Sequence, residues 1–179
     1  MGEVKTTPFS TIYDSFFSRV TDDLYIELTL QDTEAQLQDI LVAAIPAFEF
    51  PRFNVFDYEL GHLETEETEE STTHTWVGGF FNSELTREEI NILSLAMVVE
   101  WVGRQLTIID LARQRFSGSD FKMTSQANHM AKLKEIKNQY ATECFHMQRL
   151  YKRRKVTSDG GVQSTFGQIM SEPTYGYKI

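Results

Sequence analysis

Four histidines and one cysteine are the side chains of this 179-residue chain best suited to metal binding or nucleophilic attack. His62 and His74 flank a run of glutamates, and they would face each other only if the segment between them turned back near Thr68. With those carboxylates they could then hold a metal adventitiously. Exposed strand histidines account for the same pattern and are the reading adopted. His129 and His146 lie too far apart on one helix to share an ion, and Cys144 and His146, two residues apart, point to different faces. No HExxH zinc motif occurs.

Cys144 falls near an apolar seam, where a small buried hydrophobe is expected rather than a nucleophile. Gly78–Gly79 and Gly160–Gly161 lack the further glycines, lysine and hydroxyl of a phosphate-cradling loop. Asp22, Asp23, Glu88 and Glu89 stand at helix starts, where the macrodipole explains carboxylates without catalysis. No catalytic residue, metal ligand or cofactor is therefore expected, and the chain is not read as an enzyme.

What the chain does have is a partition of charge. The net charge is −9. Residues 1–56 carry −6, residues 57–72 carry −7 without a single cation, and residues 73–121 carry −2. Residues 122–155 then carry +7, and residues 156–179 carry −1. An acidic segment and a basic helix form two poles, which favours head-to-tail contact between copies. The cluster Lys152, Arg153, Arg154 and Lys155 could instead track a phosphate backbone, but it stands at a helix C-terminus, where the macrodipole already favours cations.

The elements that must position these charges are mostly helical. Leu, Ile, Val and Phe make up 48 of the 179 residues, enough for a folded core. A single cysteine rules out an intrachain disulfide, so stability must come from packing or assembly, and a reducing compartment fits. The opening MGEVKTTPFS has no basic region followed by an apolar run, and Ser94 and Glu100 interrupt Ile92–Val102, so neither secretion nor membrane spanning is expected.

Thr7 as N-cap and Pro8 at the first helical position predict a first helix with Phe9, Ile12, Tyr13, Phe16, Phe17 and Val20 on one stripe. Thr29 and Asp32 predict the start of a second, which buries Leu37, Ile40, Leu41, Ala44 and Ile45 and ends at Pro46. From Phe48 to Phe81 the helical period vanishes, and aromatic and β-branched residues predict a long hairpin with a solvated tip among Glu64, Glu66, Glu67, Glu69, Glu70 and Ser71. Two strands alone are marginal in water, so this arm needs support from something else.

Thr86 with Glu89 is a capping box before a helix apolar nearly all round, the core helix of the domain. A shorter helix over about 107–116 and a final one over about 125–155 follow, the last with Leu133, Ile136, Tyr140, Cys144, Met147 and Tyr151 along one seam. Beyond Lys155 the segment cannot form a core of its own. Its apolar residues suit either anchoring on another surface or an untethered tail.

The segments LTREEINILSLAMVVEWVGRQL and DFKMTSQANHMAKLKEI resemble small virion proteins of tailed bacteriophages, of the head-tail connector (neck or head-completion adaptor) type. The resemblance covers roughly residues 83–140, with PFSTIYDSFFSRVTDDLY in weaker support. It implies a virion protein made in the host bacterial cytoplasm and placed at the neck. It further implies a mostly helical subunit forming a homo-oligomeric ring, commonly of twelve copies, on the portal. Such a subunit meets the next neck or tail protein and lets DNA pass without specific binding. The acidic insert and the extended C-terminus depart from the shorter members of that class.

The expected fold is thus mainly α. A four- or five-helix domain over 1–155 carries a β-hairpin insertion at about 53–81, and 156–179 form an extended C-terminal arm. Contacts between subunits or with partners are expected from Phe166, Ile169, Met170, Tyr175, Tyr177 and Ile179 of the tail. On the hairpin they are expected from Val55, Phe56, Tyr58, Trp76 and Val77. Glu64, Glu66, Glu67, Glu69 and Glu70 would line the lumen, where negative charge repels passing DNA. Rival readings are a stopper or tail-terminator ring, which usually leans on β structure, and a DNA-binding regulator using the last helix.

Overall fold

The computed structural model describes residues 5–21, 24–49, 51, 54–68, 71–115, 123–156 and 162–164. The fold is mainly helical, with small antiparallel sheets. In chain order the elements are β1 (Thr7–Pro8), α1 (Phe9–Phe17), α2 (Leu24–Glu27), α3 (Leu30–Ala44), a 3-10 turn (Ile45–Ala47), β2 (Tyr58–Glu59), β3 (His62–Thr68) and β4 (Ser71–Val77). They continue with β5 (Phe80–Phe81), α4 (Arg87–Arg115), α5 (Met123–Lys152), β6 (Arg154–Val156) and β7 (Val162–Ser164).

The core sits where α1, α3 and α5 pack on α4. From α1 it takes Phe9, Ile12, Tyr13 and Phe16, the expected stripe, while Phe17 turns partly to solvent and packs edge-on against Tyr25. From α3 it takes Leu37, Ile40, Leu41 and Ala44. Thr29 Oγ1 accepts from the Asp32 amide at 3.2 Å and donates to Asp32 Oδ2 at 2.6 Å, a cap that starts α3 where the sequence places it. Pro46 cannot continue the α-helical ladder, and the chain tightens into the 3-10 turn there.

The start of α1 differs from expectation. Thr7 is not its N-cap: Thr7 and Pro8 pair with Phe81 and Phe80 as β1, and Pro8 stands at the cap position without a side-chain bond. The Thr7 hydroxyl instead donates to the Ser83 carbonyl at 2.9 Å and accepts from the Leu85 amide at 2.8 Å. Two partners more than seventy residues away outcompete a local cap because they satisfy a buried hydroxyl in both of its roles.

α4 is a single helix through Arg115, not two helices parted near Thr107. Gly103 does not break it, since a glycine in a helix costs only about 1 kcal/mol. The missing side chain also admits Lys137, whose Nζ would lie 3.0 Å from a Cβ built there. Ile92, Leu93 and Leu95–Val98 are buried. Arg87–Leu111 is long and apolar enough to cross a membrane, with an 18-residue window of mean hydropathy 1.5. Ser94 and Glu100 therefore interrupt it less than expected, and half of that apolar window is buried within the fold.

β5 is the centre of a three-stranded sheet, pairing with β1 on one side and β2 on the other. β3 pairs with β4 from His62↔Val77 to Thr68↔Ser71. β2 and β5 (Tyr58↔Phe81) continue in the same register, interrupted where Gly61 and Gly79 approach each other. A Cβ on Gly61 would come within 2.8 Å of the Gly79 amide nitrogen, and one on Gly79 within 2.7 Å of the Phe9 ring, so both positions require glycine. β6 and β7, which no strand pattern in the sequence marks, pair antiparallel just after α5.

Candidate assembly surfaces

The residues that could have done chemistry are dispersed. The register places His62 opposite Val77 and His74 opposite Thr65, so the two imidazoles lie on opposite faces of the β3–β4 pair. His62 Nε2 lies 3.5 Å from Glu64 Oε1, and His74 Nδ1 lies 3.0 Å from Thr65 Oγ1. His129 and His146 are exposed on α5. Among the described residues no group of three metal-binding side chains converges.

Cys144 is buried on the α5 seam, its Sγ 3.8 Å from the Ile92 carbonyl. Burial pushes its thiol pKa up, with Glu143 adding to the rise and the bond from Gln148 opposing it. A neutral, enclosed thiol is a poor nucleophile. Of the four helix-start carboxylates, Glu88 pairs with Arg154 at 2.9 Å and Glu89 is the cap of α4. Asp22 and Asp23 lie outside the described residues, as do Gly160 and Gly161.

The residues expected to meet partners separate into three groups. Val55 is wholly buried among the core residues, so it serves its own domain and offers nothing to a neighbour. Tyr58 is likewise engaged, with ring centroids 6.0 Å from Phe9 and 6.1 Å from Phe81. Phe56 is 59% exposed, and Trp76 and Val77 are half-buried, so these three remain accessible. The tail residues Phe166, Ile169, Met170, Tyr175, Tyr177 and Ile179 lie outside the described residues, as do Glu69 and Glu70. Glu64 is exposed; Glu66 and Glu67 belong to β3 by backbone pairing alone.

The base of the β3–β4 pair is held by α3. Gln38 accepts from the Gly61 amide at 2.7 Å and donates to its carbonyl at 3.2 Å, and Gln31 donates to the His74 carbonyl at 2.8 Å. These amide bonds replace the ladder hydrogen bonds that the glycine interruption forgoes.

Exposed apolar side chains that the pattern did not single out are Leu30, at 73% exposure, Ile108 and Leu111 near the end of α4, and Phe145 on α5. Phe145 lies under the Arg149 guanidinium, 5.8 Å from the ring centre, beside a depression formed with Glu49, Gln148 and Lys152. Three cations of α5 face solvent: Lys132, Lys134 and Arg149 are exposed and form no ion pair among the described residues. Glu59, on β2, is exposed and equally unpaired.

A second concave feature is a cleft of about 340 Å³ between the start of α1, α3 and the strand end at Trp76–Phe80. Its walls are Pro8, Phe9, Tyr13, Trp76 and Phe80, with Glu34 as the one ionisable group besides the Tyr13 phenol. Burial pushes the Tyr13 pKa up, and the carboxylates of Glu34 and Asp39 push it further the same way. A shallower depression lined by Leu30, Gln31, His74 and Thr75 joins it at Glu34 and Trp76.

No protein-family model matches the chain, and no match is found among curated proteins or solved structures.

Proposed function

We propose that this chain is a structural virion protein, a head-tail connector adaptor. Twelve copies form a ring between the portal and the next neck or tail component, and DNA passes through without specific binding. The β3–β4 pair is the distal part of a hairpin arm, and the residues after Lys155 form an extended segment that anchors one subunit on the next.

The observation that supports the reading is the separation of charge on one small fold. Glu59 and the glutamates of β3 form one pole, and the solvent-facing cations Lys132, Lys134 and Arg149 of α5 form the other. A heterologous ring joins such poles head to tail and closes on itself. Exposed Ile108, Leu111 and Phe145 supply apolar contact that a lone subunit leaves in water. The helical majority favours an adaptor over a stopper or tail-terminator ring. In the ring the acidic arm faces the channel, where it keeps the DNA phosphates from sticking.

The test is the native mass by light scattering, alone and then mixed with portal from the same source. A ring, or a monomer that joins portal in fixed stoichiometry, supports the adaptor. A persistent monomer that ignores portal and binds DNA with a steep salt dependence turns the α5 cations into a phosphate-binding face and the chain into a regulator.

A further inference from the structure

The cleft beside Trp76 is explained neither by charge separation nor by the fold. Two of its polar groups stand without partners. Glu34 is half-buried on the wall and has no hydrogen bond or ion pair among the described residues. Tyr13 lines the same cleft, is only 6% exposed, and its hydroxyl likewise has no hydrogen-bond partner among the described residues. Burial, and then the charge of Glu34, hold that phenol protonated, yet the two groups do not bond each other. A buried hydroxyl left over in this way is uncommon in a folded protein and points to a ligand.

Both groups can accept a hydrogen bond, so the missing partner is a donor with positive charge. No Lys, Arg or His among the described residues lines the cleft to supply one. Phe9, Trp76 and Phe80 complete the walls, and aromatic rings attract a cation. A metal ion does not fit, because one carboxylate beside a neutral phenol falls short of the oxygen set that Mg²⁺ or Ca²⁺ takes. A primary ammonium does fit: it has three donors and no acceptor, and it can serve both groups at once.

The shape sets the size of the occupant. A volume of about 340 Å³ stands at the lower end of the roughly 300–1,000 Å³ of small-molecule sites. At the mouth Thr6, Ser10 and Gly78 are exposed and small, and a Cβ on Gly78 would meet only Glu34 Oε2, at 4.0 Å. Those three offer none of the large side chains that anchor a protein partner. The adjoining depression, which shares Glu34 and Trp76 with the cleft, is lined by exposed Leu30, along which an alkyl chain can lie.

We propose that the cleft binds a small aliphatic primary amine as its ammonium ion, the head between Glu34 and the Tyr13 hydroxyl and the alkyl chain passing Trp76 toward Leu30. The site stands on the cleft alone, with or without the connector reading.

The experiment titrates the full chain with n-butylammonium chloride at constant ionic strength and follows the indole N–H signals of Trp76 and Trp101 by NMR, assigned with Trp76→Phe. The Trp76 signal should move saturably, with a Kd on the order of 1–10 mM, while that of Trp101, which does not line the cleft, stays in place. Glu34→Gln should weaken binding about tenfold or more, and Tyr13→Phe about threefold. A static Trp76 signal would overturn the proposal, as would n-butanol binding as tightly as the amine or an unchanged affinity in Glu34→Gln. If Tyr13→Phe fails to fold, Gly78→Leu, which closes the exposed mouth and leaves both polar groups in place, should abolish binding. Parental affinity in Gly78→Leu would put the amine outside the cleft and overturn the site. N-acetyl-lysine methylamide binding more tightly than butylammonium would give the cleft to a lysine of a partner protein and overturn the small-molecule assignment.

Discussion

Tyr151, in the last turn of α5, donates its phenolic hydrogen to Oε1 of Glu89, in the first turn of α4, at 2.5 Å. Both side chains are closed to solvent, at 1% and 0% exposure. The other oxygen of Glu89 accepts from the Thr86 amide at 2.7 Å and from its hydroxyl at 2.8 Å. One carboxyl group thus caps α4 and ties the end of α5 to it, while the Phe48 ring packs edge-on against Tyr151. Tyr151→Phe keeps the ring and leaves Oε1 unsatisfied in the core, so it should destabilise the fold by about 1–3 kcal/mol. Urea unfolding measures this, and an unchanged midpoint would refute the role given to the hydroxyl.

Thr7 is a second buried joint. Its hydroxyl bridges the Ser83 carbonyl and the Leu85 amide, fixing the N-terminal strand to the entry of α4. Thr7→Val preserves shape and removes both bonds, at a cost of about 1–3 kcal/mol because the Leu85 amide is left buried and unpaired. Thr7→Ser should retain most of the stability. Equal melting temperatures for the valine and serine variants would show that the hydroxyl is irrelevant.

These two joints mark the boundary of what the amino-acid pattern made legible. The stripes of α1 and α3, the Thr29 and Thr86 caps, the stop at Pro46 and the α5 seam are local signals, and the structure contains each of them. Thr7 had the right type and position for a cap but was recruited by partners distant in sequence. Tyr151 and Glu89 lie 62 residues apart, so no period could pair them. Val55 was expected on a strand and open to a partner, but it stands in a turn and is buried, because its burial depends on how the chain folds back onto the core. The cleft is a product of three segments and left no motif at all. The contact residues of the tail fall outside the described residues, so their role stands on the proposal alone.

Neighbouring glycines should respond in opposite ways. A Cβ at Gly79 would lie 2.7 Å from the Glu59 carbonyl oxygen and from the Phe9 ring, and Phe9 is itself locked against Phe81 with centroids 4.9 Å apart. Gly79→Ala should therefore destabilise by about 1–3 kcal/mol through overpacking. Gly78→Ala would meet only Glu34 Oε2, at an ordinary contact distance of 4.0 Å, and should stay within about 0.5 kcal/mol of the parent. Thermal melts of the pair decide it, and a tolerant Gly79 would mean that β5 can shift away from α1.

Alkaline pH should loosen the fold. Burial raises the folded-state pKa of the Cys144 thiol, and burial with Glu34 and Asp39 raises that of the Tyr13 phenol. A group whose folded pKa exceeds its unfolded one stabilises fully below the unfolded value and loses that contribution as pH rises through the folded one. The loss should begin near pH 9 with Cys144 and continue above about 10 with Tyr13. Urea midpoints across that window should fall, and Tyr13→Phe should flatten the upper part of the decline. A slope identical in parent and variant would remove Tyr13 as a cause.

Removing residues 157–179 separates folding from assembly. The core of α1, α3, α4 and α5 is complete before Val156, and the deletion takes away only β7 among the described elements, leaving β6 without its partner. An unpaired three-residue strand costs little when Arg154 still bonds Glu88 and Tyr151 still bonds Glu89. The shortened chain should melt cooperatively, within a few degrees of the parent, because no core side chain among the described residues is lost. On the proposed adaptor reading its association with portal should weaken, because the shortened chain lacks Phe166, Ile169, Tyr175 and Tyr177, the residues proposed to bridge subunits. Sedimentation with portal reads the association and circular dichroism reads the fold, so loss of structure cannot be mistaken for loss of assembly. Undiminished association by a folded, shortened chain would transfer the proposed subunit contacts to Ile108, Leu111 and the α5 face.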